Sequence, residues 1–223
     1  CVGTGHAGRG SVTHTQGDGY WFCNPLNYVK GNVATCVNGA FYNQGPIAFC
    51  FGFNYDMQYG GIAAKIPAFP GADTSISAQT KTVNTNGVPI LQFEDNEVYG
   101  ATAGALSYRN LGTSSDSPVL SCGQSNFKNF TAWHVYMTGV YGYPAYNVQL
   151  ENLTVLGDPK WINSSLTTTG VIAVDYMQYQ VKVKNPNIQN MGYGIGTPTH
   201  VGRGVTVPPY IIEGGYLSNI SNV

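Results

Sequence analysis

His6, Arg9, His14 and Asp18 form the densest polar constellation of the chain, set within Gly3-Thr4-Gly5-His6-Ala7-Gly8-Arg9-Gly10 and Gly17-Asp18-Gly19. A histidine and a carboxylate projecting from neighbouring segments can supply general acid and base to a glycosidic bond, which makes His6, His14 and Asp18 the candidate catalytic residues. Asp18 could also help bind Ca²⁺, a hard cation that takes oxygen ligands. No residue pattern demands a cofactor. The bland alternative is a Gly-rich entry segment, residues 1–19, whose charges are solvated. A dinucleotide fingerprint is excluded, because the strand, helix and downstream acid that such a motif needs do not accompany these glycines.

Glycosidases place two carboxylates across the scissile bond, so paired acids would be the clearest sign of hydrolysis. Glu94, Glu151 and Glu213 do recur at one repeat position, but Lys30, Lys128 and Lys184 are interspersed at the same position. That alternation predicts a surface ladder of opposite charges rather than an acid pair. His134, following Trp133, and His200, near Arg203, are lone histidines that need only a hydrogen bond. Nothing resembles the nucleophile elbow of a Ser-His-Asp enzyme. Whether the chain is an enzyme is left open by these residues.

Aromatic side chains carry a stronger signal. Sugar rings stack their C–H faces on flat aromatic groups, and 16 tyrosines and 3 tryptophans offer many candidates. Tyr20, Trp21, Tyr42, Tyr99, Tyr108, Trp133, Tyr136, Tyr141, Tyr143 and Tyr146 are among them, and about half are expected in the core. Tyr141, Tyr143 and Tyr146, beside Pro144, are the expected exposed carbohydrate-stacking set, with Trp133.

These groups must be positioned by a repeat. Six segments align: Val29-Lys30-Gly31-Asn32-Val33-Ala34, Phe93-Glu94-Asp95-Asn96-Glu97-Val98, Phe127-Lys128-Asn129-Phe130-Thr131-Ala132, Leu150-Glu151-Asn152-Leu153-Thr154-Val155, Val183-Lys184-Asn185-Pro186-Asn187-Ile188 and Ile212-Glu213-Gly214-Gly215-Tyr216-Leu217. Each has an apolar residue, then Lys or Glu, then Asn, Asp or Gly. The third position accepts a left-handed backbone, so the chain can bend there between two short strands. Stacked asparagines at this turn, Asn129, Asn152 and Asn185, would hydrogen-bond one another along the axis. A second element, a glycine leading into apolar residues, follows at Gly39-Ala40-Phe41-Tyr42, Gly104-Ala105-Leu106, Gly139-Val140-Tyr141, Gly170-Val171-Ile172 and Gly194-Ile195.

Strands this short cannot close a sheet within one repeat, but they can pair with the next coil and bury one continuous core. The expected fold is all-β, a right-handed parallel β-helix of about seven coils spanning residues 1–223 as one module. An antiparallel β-sandwich is the alternative, since it shares short strands and Gly-rich turns but predicts no repeated turn residue. The copies start at 29, 93, 127, 150, 183 and 212, so the first step is 64 residues long. It should hide an extra coil, near Ile47 to Phe53 or in the polar loop 72–87. A loop insertion is expected at 156–169. The open ends of such a stack invite a cap or self-association.

Composition bounds the partners. Charged residues make up 9% of the chain, against roughly 25% in typical soluble domains. The net charge is -1 with no basic run, which argues against nucleic acid as a partner. No apolar stretch is long enough for a membrane span. Five cysteines, Cys1, Cys23, Cys36, Cys50 and Cys122, lack zinc or redox spacing and suggest an oxidising compartment with disulfides. Four N-x-[ST] sequons fit a secreted or cell-surface glycoprotein. Asn163 and Asn219 are the expected glycan acceptors. Asn129 and Asn152 are poorer ones, because their amides belong to the turn ladder. A start at Cys1 rather than Met reads as a processed product or part of a longer chain.

The run Trp21-Phe22-Cys23-Asn24-Pro25-Leu26-Asn27, continuing through Asn32-Val33-Ala34 to Gly39-Ala40-Phe41-Tyr42, resembles the β-helix of the cell-migration-inducing and transmembrane hyaluronidase family. Phe127-Lys128-Asn129-Phe130-Thr131-Ala132-Trp133 with Leu150-Glu151-Asn152-Leu153-Thr154 is similar to its later coils, and the resemblance extends over residues 10–155. It implies an extracellular module and a link to polysaccharide. It does not carry over hydrolase activity, because no catalytic motif matches residue by residue and the family's glycine-rich domain is not matched. Two functions follow as expectations: an extracellular structural, glycan-associated or self-assembling module, or a hyaluronidase-like depolymerase acting along a groove on the coils.

Overall fold

The computed structural model describes residues 18–22, 24–35, 51–57, 63–65, 80–82, 85–101, 104–114, 117–162, 168–173, 178–198 and 210–222. The fold is all-β and its long ladders are parallel. The first stack runs Tyr28–Lys30, Gln92–Glu94, Ser125–Lys128, Val148–Glu151, Lys182–Lys184, Ile211–Glu213. The second runs Val33–Thr35, Glu97–Tyr99, Thr131–Val135, Thr154–Gly157, the first half of Asn187–Gly196, and Tyr216–Asn222. The third runs Tyr20–Phe22, Phe51–Asp56, Gly104–Arg109, Thr138–Gly142, Thr169–Ala173 and the second half of Asn187–Gly196, a strand that serves two stacks in succession.

Register follows the repeat residue for residue. Val29 pairs with Phe93, Phe93 with Phe127, Phe127 with Leu150, Leu150 with Val183 and Val183 with Ile212. Alternation sends this column inward and its neighbours outward. Ala34, Val98, Ala132, Val155 and Ile188 make the inward column of the second stack, and Phe53, Leu106, Val140 and Val171 that of the third. Aromatic rings fill the space between: Phe53 meets Phe93 edge-on at 5.3 Å, and Phe93 meets Phe127 at 5.1 Å. Where the second and third stacks approach, small residues are required. A Cβ on Gly139 would lie 2.4 Å from the Gly170 carbonyl oxygen and 2.6 Å from Val155, and one on Gly170 would lie 2.5 Å from Ile188.

Every corner between the first and second stacks is left-handed, with φ of 65° at Gly31, 54° at Asp95, 51° at Asn129, 55° at Asn152, 49° at Asn185 and 65° at Gly214. The side chains of this corner form the expected ladder. Asn129 Nδ2 donates to Asp95 Oδ1 at 2.9 Å, Asn152 Nδ2 to Asn129 Oδ1 at 3.1 Å, and Asn185 Nδ2 to Asn152 Oδ1 at 3.4 Å. A backbone rung accompanies each, as where Asn152 N donates to the Lys184 carbonyl at 2.9 Å.

Two expectations are corrected, and a third falls outside the described residues. The 64-residue step hides no coil, because Val29 pairs directly with Phe93 and Ala34 with Val98. It holds instead the third-stack strand Phe51–Asp56 and an antiparallel pair, Ala63–Lys65 with Thr80–Thr82; among the described residues the first stack has six levels, and Tyr20–Phe22 stands one level before them in the third stack. The antiparallel sandwich does not describe the molecule. Antiparallel pairing among the described residues is confined to that pair and to Thr113–Ser114 with Ser117–Pro118. Lastly, the third-stack strand that precedes Gly104–Arg109 is Phe51–Asp56; the expected Gly39-Ala40-Phe41-Tyr42 lies outside the described residues. In the expected loops, Thr85–Gly87 is a 3₁₀ turn, and Asp158 caps another over Pro159–Trp161 by accepting from Lys160 N at 3.0 Å.

Candidate functional site

The outer face of the second stack presents two columns. Glu97, Thr131, Thr154 and Asn187 stand in one; Tyr99, Trp133, Leu156 and Gln189 stand in the other. Trp133 and Tyr99 are direct partners in the ladder, and both are exposed, at 38% and 48%. Large rings are placed this way because strand alternation turns their neighbours Ala132 and Val98 into the core. His134 joins them through an irregularity: it adopts φ 50°, the register shifts between Trp133 and Val135, and its ring meets Tyr99 edge-on at 5.2 Å. Beyond Leu156, the Gln189 amide donates to Asn187 Oδ1 at 2.9 Å. The face is a flat aromatic strip bordered by hydroxyls, amides and one carboxylate. An apolar ring face with polar groups at its rim suits a sugar, which is itself apolar on its C–H faces and polar at its edge.

Of the expected carbohydrate-stacking set, Trp133 is on this strip and Tyr141, Tyr143 and Tyr146 are elsewhere. Tyr146 is a correction: only 6% exposed, it packs with Cys122 and Tyr179 in a satellite cluster where Ala145–Tyr146 pairs with Gln178–Tyr179. Tyr141 is half-buried with its ring 5.8 Å from Phe51, and Tyr143 is half-buried beneath the Arg109 guanidinium at 5.3 Å. Tyr99 completes the strip in their place. Its signal was its repeat position, six residues after Phe93 as Trp133 is six after Phe127.

Asp18 stands against the third-stack strand Phe51–Asp56. Its Oδ1 accepts from Phe51 N at 2.7 Å and its Oδ2 from Asn54 Nδ2 at 3.0 Å, which fastens it to the third stack. His6, His14 and His200 lie outside the described residues. No group of three or more His, Cys, Asp or Glu side chains among the described residues is arranged to hold a metal ion. Asp56 and Arg109, laterally paired on the outer side of the third stack, form a largely buried ion pair at 3.6 Å. No sequence pattern singled it out.

The alternating charges form the expected ladder. In order up the first stack come Lys30, Glu94, Lys128, Glu151, Lys184 and Glu213. Lys30 Nζ lies 3.2 Å from Glu94 and 3.5 Å from Asp95, and Lys184 Nζ lies 2.9 Å from Glu151. Lys182 Nζ pairs with Glu213. The hydrogen bond from Lys184 holds the Glu151 carboxyl below its ordinary range, and that from Lys182 does the same for Glu213. These carboxylates are engaged with lysines rather than arranged as an acid pair.

Among the sequons, Asn129 and Asn152 are in the corner ladder. Asn219 is in a second such ladder: at φ 51° it donates through Nδ2 to Asn190 Oδ1 at 2.7 Å, and Asn190 itself has φ 57°. The distinction drawn between it and the turn asparagines therefore has no basis in the side-chain bonding. Asn163 lies outside the described residues. Cys122, the one cysteine among the described residues, is free and buried, and burial pushes its thiol pKa up. No helix among the described residues is long and apolar enough to cross a membrane.

Comparisons with protein-family models, with curated proteins and with solved structures find no match to this chain.

Proposed function

We propose that this chain is a right-handed parallel β-helix module that works outside the cell and binds an extended glycan along the outer face of its second stack. The observation that carries the reading is the exposed, in-register pair Tyr99 and Trp133. Successive levels are about 4.8 Å apart, close to the length of one sugar unit in an extended chain, so rings on adjacent levels can meet adjacent units of a polymer. Glu97, Thr131, Thr154 and Asn187 border the strip with hydrogen-bonding groups. A net charge of -1 with no basic cluster favours recognition by stacking and hydrogen bonding over attraction to a polyanion. The sequons, the low charge and the likeness to an extracellular polysaccharide-linked family support the same reading.

The test is affinity electrophoresis through gels containing neutral β-glucan, mannan or xylan, and through gels containing uronate polymers including hyaluronan. Retardation by at least one polymer, lost in Tyr99→Ala and Trp133→Ala, supports the reading. Unretarded migration in every gel sinks it. Shortening of a polymer during the run would replace binding by depolymerisation.

A further inference from the structure

Glu97 is the only Asp, Glu, Lys or Arg in the described strands of the second stack. Its lateral neighbours on the ladder are Val33 on one side and Thr131 on the other, so no charge answers it across the sheet. The first stack shows the contrast. Glu94 stands between Lys30 and Lys128, and Glu151 between Lys128 and Lys184. Among the described residues every other carboxylate is engaged: Glu94, Asp95, Glu151 and Glu213 by lysines, Asp56 by Arg109, and Asp18 and Asp158 by backbone amides. The half-buried Glu97 side chain has neither an ion pair nor a hydrogen bond among them.

Its place beside the rings defines the ligand group that would answer it. Glu97 and Tyr99 are two residues apart on one strand and face the same side, so their Cα atoms are about 6.6 Å apart. A sugar ring lying on Tyr99 therefore brings a substituent on its rim toward the Glu97 carboxylate. Aromatic faces are electron-rich and attract an ammonium group, and Glu97 adds a full negative charge next to them. The Thr131 hydroxyl, directly beside Glu97 on the next level, is a second acceptor for an ammonium that has three hydrogens to donate. A carboxylated sugar meets the opposite field, since the described strands of this stack carry no lysine or arginine to receive it.

We propose that the strip selects an amino-sugar polymer with free, protonated amines over its N-acetylated and neutral counterparts. This rests on the reading of the strip as a glycan-binding face. The ammonium of the unit on Tyr99 is held by the Glu97 carboxylate and the Thr131 hydroxyl, and the next unit lies on Trp133. Acetylation removes the charge and adds bulk at the same rim position, and a neutral sugar offers only a hydroxyl there.

Calorimetric titration with β-linked oligomers of glucosamine, N-acetylglucosamine and glucose, equal in length, tests this in a mildly acidic buffer that keeps the amine protonated. The glucosamine oligomer is expected to bind about tenfold more tightly than the other two. Glu97→Gln keeps the size of the side chain and removes its charge, and circular dichroism checks that the variant is folded. In it the ratio of affinities is expected to fall to within about twofold. Equal binding of the three oligomers, or a preference that survives in Glu97→Gln, overturns the amine selectivity while leaving the glycan-binding face in place. A glucosamine oligomer that does not bind overturns the selectivity too, and the gels then decide separately whether the face holds any other glycan. Binding that is unchanged in both Tyr99→Ala and Trp133→Ala overturns the selectivity and the face together.

Discussion

The side-chain amide of Asn152 donates to Asn129 Oδ1 at 3.1 Å, and both residues hold a left-handed backbone at the same corner of successive levels. One residue type thus meets two demands, a positive φ and a bond along the axis. Replacing Asn152 by alanine removes both. The left-handed conformation costs a residue with a Cβ roughly 1–2 kcal/mol, and each lost hydrogen bond about 1 kcal/mol. Both ladder bonds of Asn152, to Asn129 and from Asn185, are lost, so Asn152→Ala should lower stability by about 3–4 kcal/mol and Asn152→Gly, which keeps the backbone free, by about 2 kcal/mol. Urea midpoints of the two variants check this, and equal losses would contradict it.

Acid should loosen this same corner and the charge column beside it. The Asp95 carboxyl is held below its ordinary 3.8, first by the Asn129 amide and then by Lys30. Glu151 and Glu213 are held below 4.5 by Lys184 and Lys182. A carboxylate with a lowered folded pKa stabilises the fold above its unfolded value, and that contribution is lost as pH falls through the folded value. Stability should be level down to about pH 5 and decline below it, modestly and less so in high salt, because these groups are exposed. Asp95→Asn keeps the turn and an acceptor for Asn129 but no longer titrates. It should flatten the decline in a plot of melting temperature against pH, and an unchanged slope would remove Asp95 from the account.

The first and second stacks were legible in the sequence because one corner repeats a chemically demanding residue. Asn129, Asn152 and Asn185 fixed the register, and the Lys and Glu before them fixed which side faces water. The third stack was less legible. Its strands are marked only by small residues such as Gly139 and Gly170, and in the first level the strand Phe51–Asp56 follows a long connection that shifts it away from the expected position. The aromatic strip was half legible. Trp133 was anticipated, whereas Tyr146 was misplaced because strand alternation in a two-residue strand leaves no pattern to read, and its ring turned inward.

Those small residues carry their own consequence. A methyl group on Gly139 has no room between the Gly170 carbonyl and Val155. Gly139→Ala should cost about 1–3 kcal/mol, the range for overpacking a core. Asn126→Ala, at an outward position of the first stack, should cost less. Thermal melts that ranked Asn126→Ala as the more damaging would contradict the close approach of the second and third stacks.

The most direct test of the proposed sugar-binding face is the fluorescence of Trp133 during titration with the polymer that retards the protein in gels. The chain has 3 tryptophans, so the change is measured as the difference between the wild-type protein and Trp133→Phe. Stacking a sugar on the exposed indole removes it from water. The expected result is a blue-shifted, saturable emission change that is lost in Trp133→Phe and weakened about tenfold in affinity in Tyr99→Ala, equivalent to about 1.4 kcal/mol. A saturable change of the same size in Trp133→Phe, with affinity untouched in Tyr99→Ala, would place the glycan elsewhere and contradict the account.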